Sequence, residues 1–249
     1  MNLRACTTTA FALLLMLMPA LVLAADLTLL ISNAVKTVME DIAPRFEAAT
    51  GHKLAIAYGS TNPTKARIEK GEAFDLTILG DAAIDDLIKQ GKLTAATRTV
   101  IARSGLGLAV RQGTAKPDIT TEEGFKRTLL GAKSIAYLDD GLTGTYLKVL
   151  FQRLGIADEI KAKHKSARGA EAVAAGEVEL GITQISEILY QKGTLLAGPL
   201  PPPIQNYTRF SAALSAGAQQ PEAARALLKF FASLDAVRVM KANGLEPGG

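Results

Sequence analysis

The 249-residue sequence predicts an α/β fold in two lobes, each built on a mostly parallel sheet, with two crossings between them. Three observations carry this expectation. Short apolar runs alternate with helical apolar stripes at a spacing that gives parallel strands covered by helices on both faces. Each run ends in a short polar turn that opens the next helix, and the same pattern starts again near residue 100.

The first 24 residues stand apart. Arg4 provides a charged start, Phe11 to Met18 is apolar without interruption, Pro19 breaks the run, and Val22-Leu23-Ala24 ends on small residues. This is the pattern of a cleaved secretory signal, and the run is short of the ~20 residues a membrane span needs. Cys6, the one cysteine, leaves with the segment, so the exported chain has no disulfide. A periplasmic address follows. The net charge of +4 becomes +3 without Arg4, which is mild.

The elements follow in order. Leu27–Ile31 reads as a buried strand, and Val35, Val38, Met39, Ile42 and Phe46 form a helical stripe. Pro44 should kink that helix or mark a restart, and Gly51 caps it. Leu54–Tyr58 is the second strand, and Asn62-Pro63 supplies an N-cap and a first-turn proline for a helix that Gly71 closes. Leu76–Leu79 is a third strand, followed by the stripe Ile84, Leu87, Ile88 and by Gly91. Val100–Ala102 and Leu106–Val110 read as strands interrupted at Arg103-Ser104-Gly105. Thr120 to Glu123 forms a capping box for a helix through Leu130. Ser134–Tyr137 is a strand, and Thr143 starts a helix carrying Tyr146, Leu147, Leu150 and Leu154. A helix near Glu171–Ala175 and the strand Leu180–Ile182 come next. Four prolines between Pro199 and Pro203 make a stiff connector. Phe210–Leu214 is a strand, and helices Pro221–Phe231 and Ser233 to Asn243 finish the chain. The expected division is 26–103 plus 207–249 for lobe one and 104–206 for lobe two.

Four turns carry neutral polar groups where strands meet helices: Ser32-Asn33, Ser60-Thr61-Asn62, Thr143-Gly144-Thr145 and Thr183-Gln184. Ligands of open parallel sheets bind at the carboxyl ends of the strands, and free N–H groups at helix starts suit an anion. Two turns fall in each lobe, so a cleft could close on an anion from both sides. The alternative for each is a simple N-cap. Arg168, before a helix, and Arg103, at a crossing, are candidate cationic contacts or solvated surface arginines. The Lys161-Ala162-Lys163-His164-Lys165 block reads as a solvated helix face, and with no tryptophan or aromatic interleaving it does not point to nucleic acid. His52 and His164 have no ligand-spaced partners, so neither a metal nor a cofactor is expected. No G-x-S-x-G elbow or Walker loop is present, and Gly141-Leu142-Thr143-Gly144-Thr145 lacks the lysine of a phosphate loop. The expectation is a monomeric binder without enzyme activity. An exported hydrolase or transferase and a receptor-docked sensor subunit are the rivals.

Three stretches carry a family resemblance: Asp41-Ile42-Ala43-Pro44-Arg45-Phe46-Glu47-Ala48-Ala49-Thr50-Gly51, Ala66-Arg67-Ile68-Glu69-Lys70-Gly71-Glu72-Ala73-Phe74-Asp75-Leu76 and Glu171-Ala172-Val173-Ala174-Ala175-Gly176-Glu177. Nearly all of the chain after the signal resembles the periplasmic molybdate-binding protein family, among the solute-binding proteins of ABC importers. The resemblance implies the two-lobed periplasmic binding protein (type II) fold, a solute held in the cleft and a membrane permease as partner. Gly59-Ser60-Thr61-Asn62 matches the family's second-strand serine turn, and Thr143-Gly144-Thr145-Tyr146 its second-lobe helix start. The family's first serine falls on Ala34, with Ser32 and Asn33 just upstream, and Gln184 stands where a tyrosine is usual. The site expected from this is Ser32, Asn33, Ser60 and Thr61 from lobe one, and Thr143, Gly144, Thr145, Arg168 and Gln184 from lobe two. Its ligand is molybdate, another small oxyanion or a small organic carboxylate.

Overall fold

The structure is a computed structural model that describes residues 24–248; the predicted signal segment, Cys6 included, lies outside the described residues apart from its last position. The chain opens with β1 (Asp26–Ser32), a 3-10 turn (Asn33–Val35) and α1 (Lys36–Thr50). β2 (Lys53–Gly59), α2 (Thr61–Glu69), β3 (Leu76–Gly80) and α3 (Asp81–Lys89) follow. The long strand β4 (Thr99–Arg111) leads to α4 (Glu122–Gly131), β5 (Ile135–Tyr137), α5 (Leu142–Arg153) and α6 (Ala157–Lys161). Next come β6 (His164–Ser166), α7 (Gly169–Ala174), β7 (Leu180–Gln184), α8 (Ile185–Tyr190) and β8 (Thr194–Pro199). β9 (Tyr207–Leu214), α9 (Pro221–Phe231), α10 (Leu234–Ala242) and β10 (Glu246–Pro247) end the described chain.

These elements form a two-lobed α/β fold on one curled path of strands, ordered β2-β1-β3-β9-β4-β7-β5-β6. Parallel pairs join β1 to β2 and β3, and β5 to β6 and β7. The strands that carry the chain between lobes pair antiparallel: β9 with β3, and β4 with β9, β7 and β8. The alternation of strand and helix shows the parallel units; the antiparallel seams depend on long-range pairing that local pattern does not encode.

β4 is the hinge of this arrangement. Residues Thr99 to Gly105 pair with β9, and Leu106 to Arg111 pair with β7 and β8. The expected interruption at Arg103-Ser104-Gly105 is absent, because β9 on one side and β10 at Arg103 on another satisfy the backbone there. Gln205 ties the return crossing to the same place, donating from Nε2 to the Leu106 carbonyl at 3.0 Å and accepting from the Leu106 N–H at 2.8 Å.

Each sheet is covered on both faces by apolar side chains. Met39, Ile42 and Phe46 of α1 pack with Phe210 and with Leu227 and Phe231 of α9, while Leu30, Leu79 and Ile84 fill the opposite face. In the second lobe Phe125, Leu147 and Phe151 pack around Leu106 and Ile135, and Ala170 and Val173 cover the other face. Each fully buried large side chain contributes about 1.5–3 kcal/mol, which lets a chain of this size stand without disulfides.

Local expectations shift in four places. Helix α1 runs unbroken through Pro44, which is exposed, so the carbonyl it leaves without a donor faces water. Ser60, not Asn62, is the N-cap of α2, and Asn62 instead donates from Nδ2 to the Asp140 carbonyl at 2.8 Å. The N-cap of α4 is Thr121, whose hydroxyl accepts from Gly124 N–H at 3.0 Å. Lys163 is no part of a solvated helix face: its Nζ donates to the carbonyls of Leu130 at 2.6 Å and Ala132 at 2.9 Å, capping the end of α4.

Candidate functional site

The carboxyl ends of β1, β2, β5 and β7 face one cleft, which lies between the starts of α2 and α5. Its cavity measures ≈ 90 Å³, well above the ~10–15 Å³ needed to admit a single water. The first half of the lining comes from β1, α1 and the start of α2: Ser32, Asn33, Lys36, Thr37, Ser60 and Thr61. The other half comes from the starts of α5 and α7 and from β7–α8: Thr143, Arg168, Glu171, Thr183, Gln184 and Glu187.

Each turn places its polar groups for a local reason. Ser32 is extended at the end of β1, and its hydroxyl accepts weakly from Ala34 N–H at 3.4 Å. Ser60 has the extended backbone of an N-cap, yet its hydroxyl makes no cap hydrogen bond and remains available to the cleft. Thr61 is buried, and its Oγ1 accepts from Gly80 N–H at 3.4 Å. Gly141 caps α5 without a side chain, so the first N–H groups of that helix, with Thr143 among them, are free toward the cleft. Both helix starts therefore bring partial positive charge to the same space.

Of the residues expected at the site, Ser32, Asn33, Ser60, Thr61, Thr143, Arg168 and Gln184 line the cleft, together with Thr183. Gly144 and Thr145 do not. Gly144 is packed on the backbone of the preceding loop, where a Cβ would lie 2.1 Å from the Leu138 carbonyl oxygen. Thr145 is one residue further round the helix and donates from its hydroxyl to the Gly141 carbonyl at 3.1 Å. Arg103 does not reach the site either: its Nε donates to Glu246 at 2.6 Å and its guanidinium covers the Tyr207 ring at 5.2 Å. His52 and His164 serve structure. His52 accepts from Ala25 N–H at 3.0 Å, and His164 stacks on Tyr137 with ring centroids 3.8 Å apart.

Four charged residues line the cleft. Arg168 donates from Nη1 to Glu171 at 2.8 Å, which leaves the rest of its fork for a ligand. Lys36 lies over the rings of Tyr58 and Tyr190, 5.7 and 5.4 Å from the centroids, and 3.8 Å from Glu40. Glu187 accepts hydrogen bonds from the Thr183 hydroxyl and the Gln184 N–H; burial nonetheless pushes its carboxyl above the usual range, and the charge of Glu171 adds to that while Arg168 opposes it. Gln184 donates from Nε2 to Thr208 at 3.1 Å, and its buried Oε1 has no partner among the described residues.

Lys36 and Glu187 were not foreseen. Lys36 is a polar residue at the start of a helix marked in sequence only by its apolar stripe, and Glu187 belongs to a six-residue helix too short to give a periodic pattern. The useful signal is the spacing of Thr183 and Glu187, four residues apart and so on one face of a turn. Among the described residues no group of three His, Cys, Asp or Glu side chains is placed to hold a metal.

The family described as bacterial extracellular solute-binding protein matches residues 27–246. Among curated proteins, an aconitate isomerase from a Pseudomonas species is 36% identical over 230 residues, covering 89% of this chain and 87% of that protein. The molybdate-binding protein ModA of Azotobacter vinelandii is 28% identical over 216 residues, covering 83% and 84%. Among solved structures, the periplasmic molybdate-binding protein of A. vinelandii superimposes with a TM-score of 0.76 at 20% identity, over 90% of this chain and 100% of that one. The chain belongs to the bacterial extracellular solute-binding protein family.

Proposed function

We propose that this member of the solute-binding family captures a small organic polycarboxylate in its interlobe cleft, as the exported binding component of an ABC importer. The two lobes, 26–103 plus 207–249 and 104–206, would close on the anion and present it to a membrane permease. The observation that carries the reading is the make-up of the lining. Lys36 and Arg168 stand among hydroxyls and helix N–H groups, so several carboxylates can be held at once, with Arg168 suited to a two-point contact. A tetrahedral oxyanion is served by neutral donors at helix starts, whereas this lining also contains the carboxyl groups of Glu171 and Glu187. The kinship with an aconitate isomerase supports a carboxylate; the kinship with a molybdate-binding protein supports a tetrahedral oxyanion.

A thermal-shift series separates these ligands. Aconitate and citrate should stabilise the protein, by about 2.7 kcal/mol at a hundredfold excess over Kd, with molybdate, tungstate and sulfate giving less. Stabilisation by molybdate alone would overturn the carboxylate assignment.

A second reading is favoured by the same relative: the cleft isomerises its carboxylate and does not merely carry it. Glu187 is a titratable group in the right place for such chemistry. Incubation of trans-aconitate with the purified protein, followed by NMR, decides between them. Appearance of the cis form above the uncatalysed rate makes the protein an isomerase, and its absence leaves a carrier.

A further inference from the structure

We infer that the cleft binds its anion together with one proton, shared between the ligand and Glu187. The inference rests on the carboxylate-capture reading and holds whether the ligand is carried or converted.

Lys36 and Arg168 are the cations of the lining, and Glu171 and Glu187 are its carboxyl groups. With both carboxyls ionised, the lining offers an anion no net positive charge. Glu171 is already engaged by Arg168 at 2.8 Å and lies toward solvent, so its charge is compensated. Among the described residues Glu187 has no cation bonded to it. Its polar partners are the Thr183 hydroxyl and the Gln184 N–H, both on the β7–α8 junction. A ligand carboxylate entering beside it would meet a like charge in a partly buried site, which costs more than the same pair in open solvent. A proton on either partner turns that repulsion into a hydrogen bond between a carboxyl and a carboxylate.

Gln184 gives independent support. Its buried Oε1 has no hydrogen-bond partner among the described residues, so an acceptor stands unmet in the residue next to Thr183. An acceptor left unmet beside the site and a carboxyl group within it both favour uptake of a proton. The charged groups acting on Glu187 are Arg168 and Glu171 of the α7 start; Lys36 of α1 and Tyr190 of its own helix share the cleft lining. Arg168 favours the ionised form and Glu171 the protonated one, while burial of the carboxyl favours the proton before any anion arrives. A bound anion adds to the same side.

Proton linkage has a direct readout. Titration calorimetry of the full exported chain with trans-aconitate, in two buffers of different ionisation enthalpy near neutral pH, gives the number of protons taken up. The expected value approaches one, with affinity falling by up to about tenfold per pH unit as pH rises. In Glu187→Gln the uptake should disappear and the affinity should become flat with pH, because the amide donates without titrating. Thr183→Val keeps the carboxyl and removes one donor to its ionised form, so uptake should persist and extend to higher pH. Binding of trans-aconitate with no proton uptake in the wild type, or with uptake unchanged in Glu187→Gln, overturns the inference and leaves carboxylate capture standing. Absence of binding heat and of a thermal shift with every carboxylate tested overturns both.

Discussion

The two halves of the cleft are built from the same device and finished differently. Each presents a strand-to-helix turn and the free start of a well-formed helix, α2 in the first lobe and α5 in the second. The first half is neutral donors, Ser32, Asn33, Ser60 and Thr61, with Lys36 behind them. The second half adds Arg168, Glu171, Gln184 and Glu187, so both cationic and acidic chemistry concentrate there. The difference teaches that a common anion cradle need not define the anion. On the proposed reading, the first lobe would supply a general capacity for oxygen-rich ligands, and the second would set how many charges and protons the ligand brings.

The first-lobe site could be read because each of its turns follows a strand of five to seven residues and precedes a periodic helix, as with Lys53–Gly59 and Thr61–Glu69. The second lobe is assembled from shorter pieces: β5 and β6 are three residues each, and α7 and α8 six. Too few residues repeat for a period to show, so β6, β8, α6 and α8 went unseen, and Glu187 with them. The continuity of β4 through Arg103-Ser104-Gly105 was hidden for another reason: polar residues are acceptable in a strand when neighbours on both sides pair with its backbone. Gly144, expected at the site as part of the Thr143-Gly144-Thr145 turn, packs on the Leu138 carbonyl, a close approach that sequence spacing does not reveal.

The largest effect should come from testing whether the two helix starts are equally demanding. Gly144→Ala puts a Cβ against backbone and should destabilise the protein by about 3 kcal/mol, whereas Gly59→Ala meets only the Thr64 hydroxyl, at 2.7 Å, and a side chain can turn away. Urea denaturation of both variants checks this. Equal losses would mean that the second lobe is no more tightly built around its turn than the first.

Charge contacts come next. Arg168→Ala should weaken aconitate binding by about 1.5–3 kcal/mol, the range for hydrogen bonds to charged groups, and Lys36→Ala by less, because Lys36 is already shared with Tyr58, Tyr190 and Glu40. Calorimetry of the two variants that returned the reverse order would move the decisive cation to the first lobe.

Glu187 gives the comparison a pH signature in the unliganded protein. Its folded-state carboxyl titrates above the ordinary carboxylate range, so the folded protein holds a proton that the unfolded chain has released. Stability from this group is then present below the unfolded value and declines as pH rises through the window up to the folded one. Glu187→Gln should remove that decline, so the variant gains relative to wild type toward higher pH and matches it in acid. Melting temperatures across the window test the sign, and an opposite trend would place an ionised, well-compensated carboxylate in the cleft.

The smallest effect concerns how the halves meet. Asn62 of the first lobe donates to the Asp140 carbonyl of the second at 2.8 Å, and Tyr190 donates to Glu40 at 3.1 Å, both exposed. Exposed hydrogen bonds of this kind contribute about 0.5–1.5 kcal/mol before water competes. They differ from the buried bond at 2.8 Å between the Ser186 hydroxyl and the Ala34 carbonyl, which water cannot replace. Asn62→Ala should therefore shift aconitate affinity by no more than a few fold, and Ser186→Ala by more, since the latter leaves a buried carbonyl of the first lobe without its donor. If both variants bind as wild type while Arg168→Ala does not, contact between the lobes adds little to affinity. The ligand itself, held from both sides, would then be the main bridge between the neutral half and the charged one.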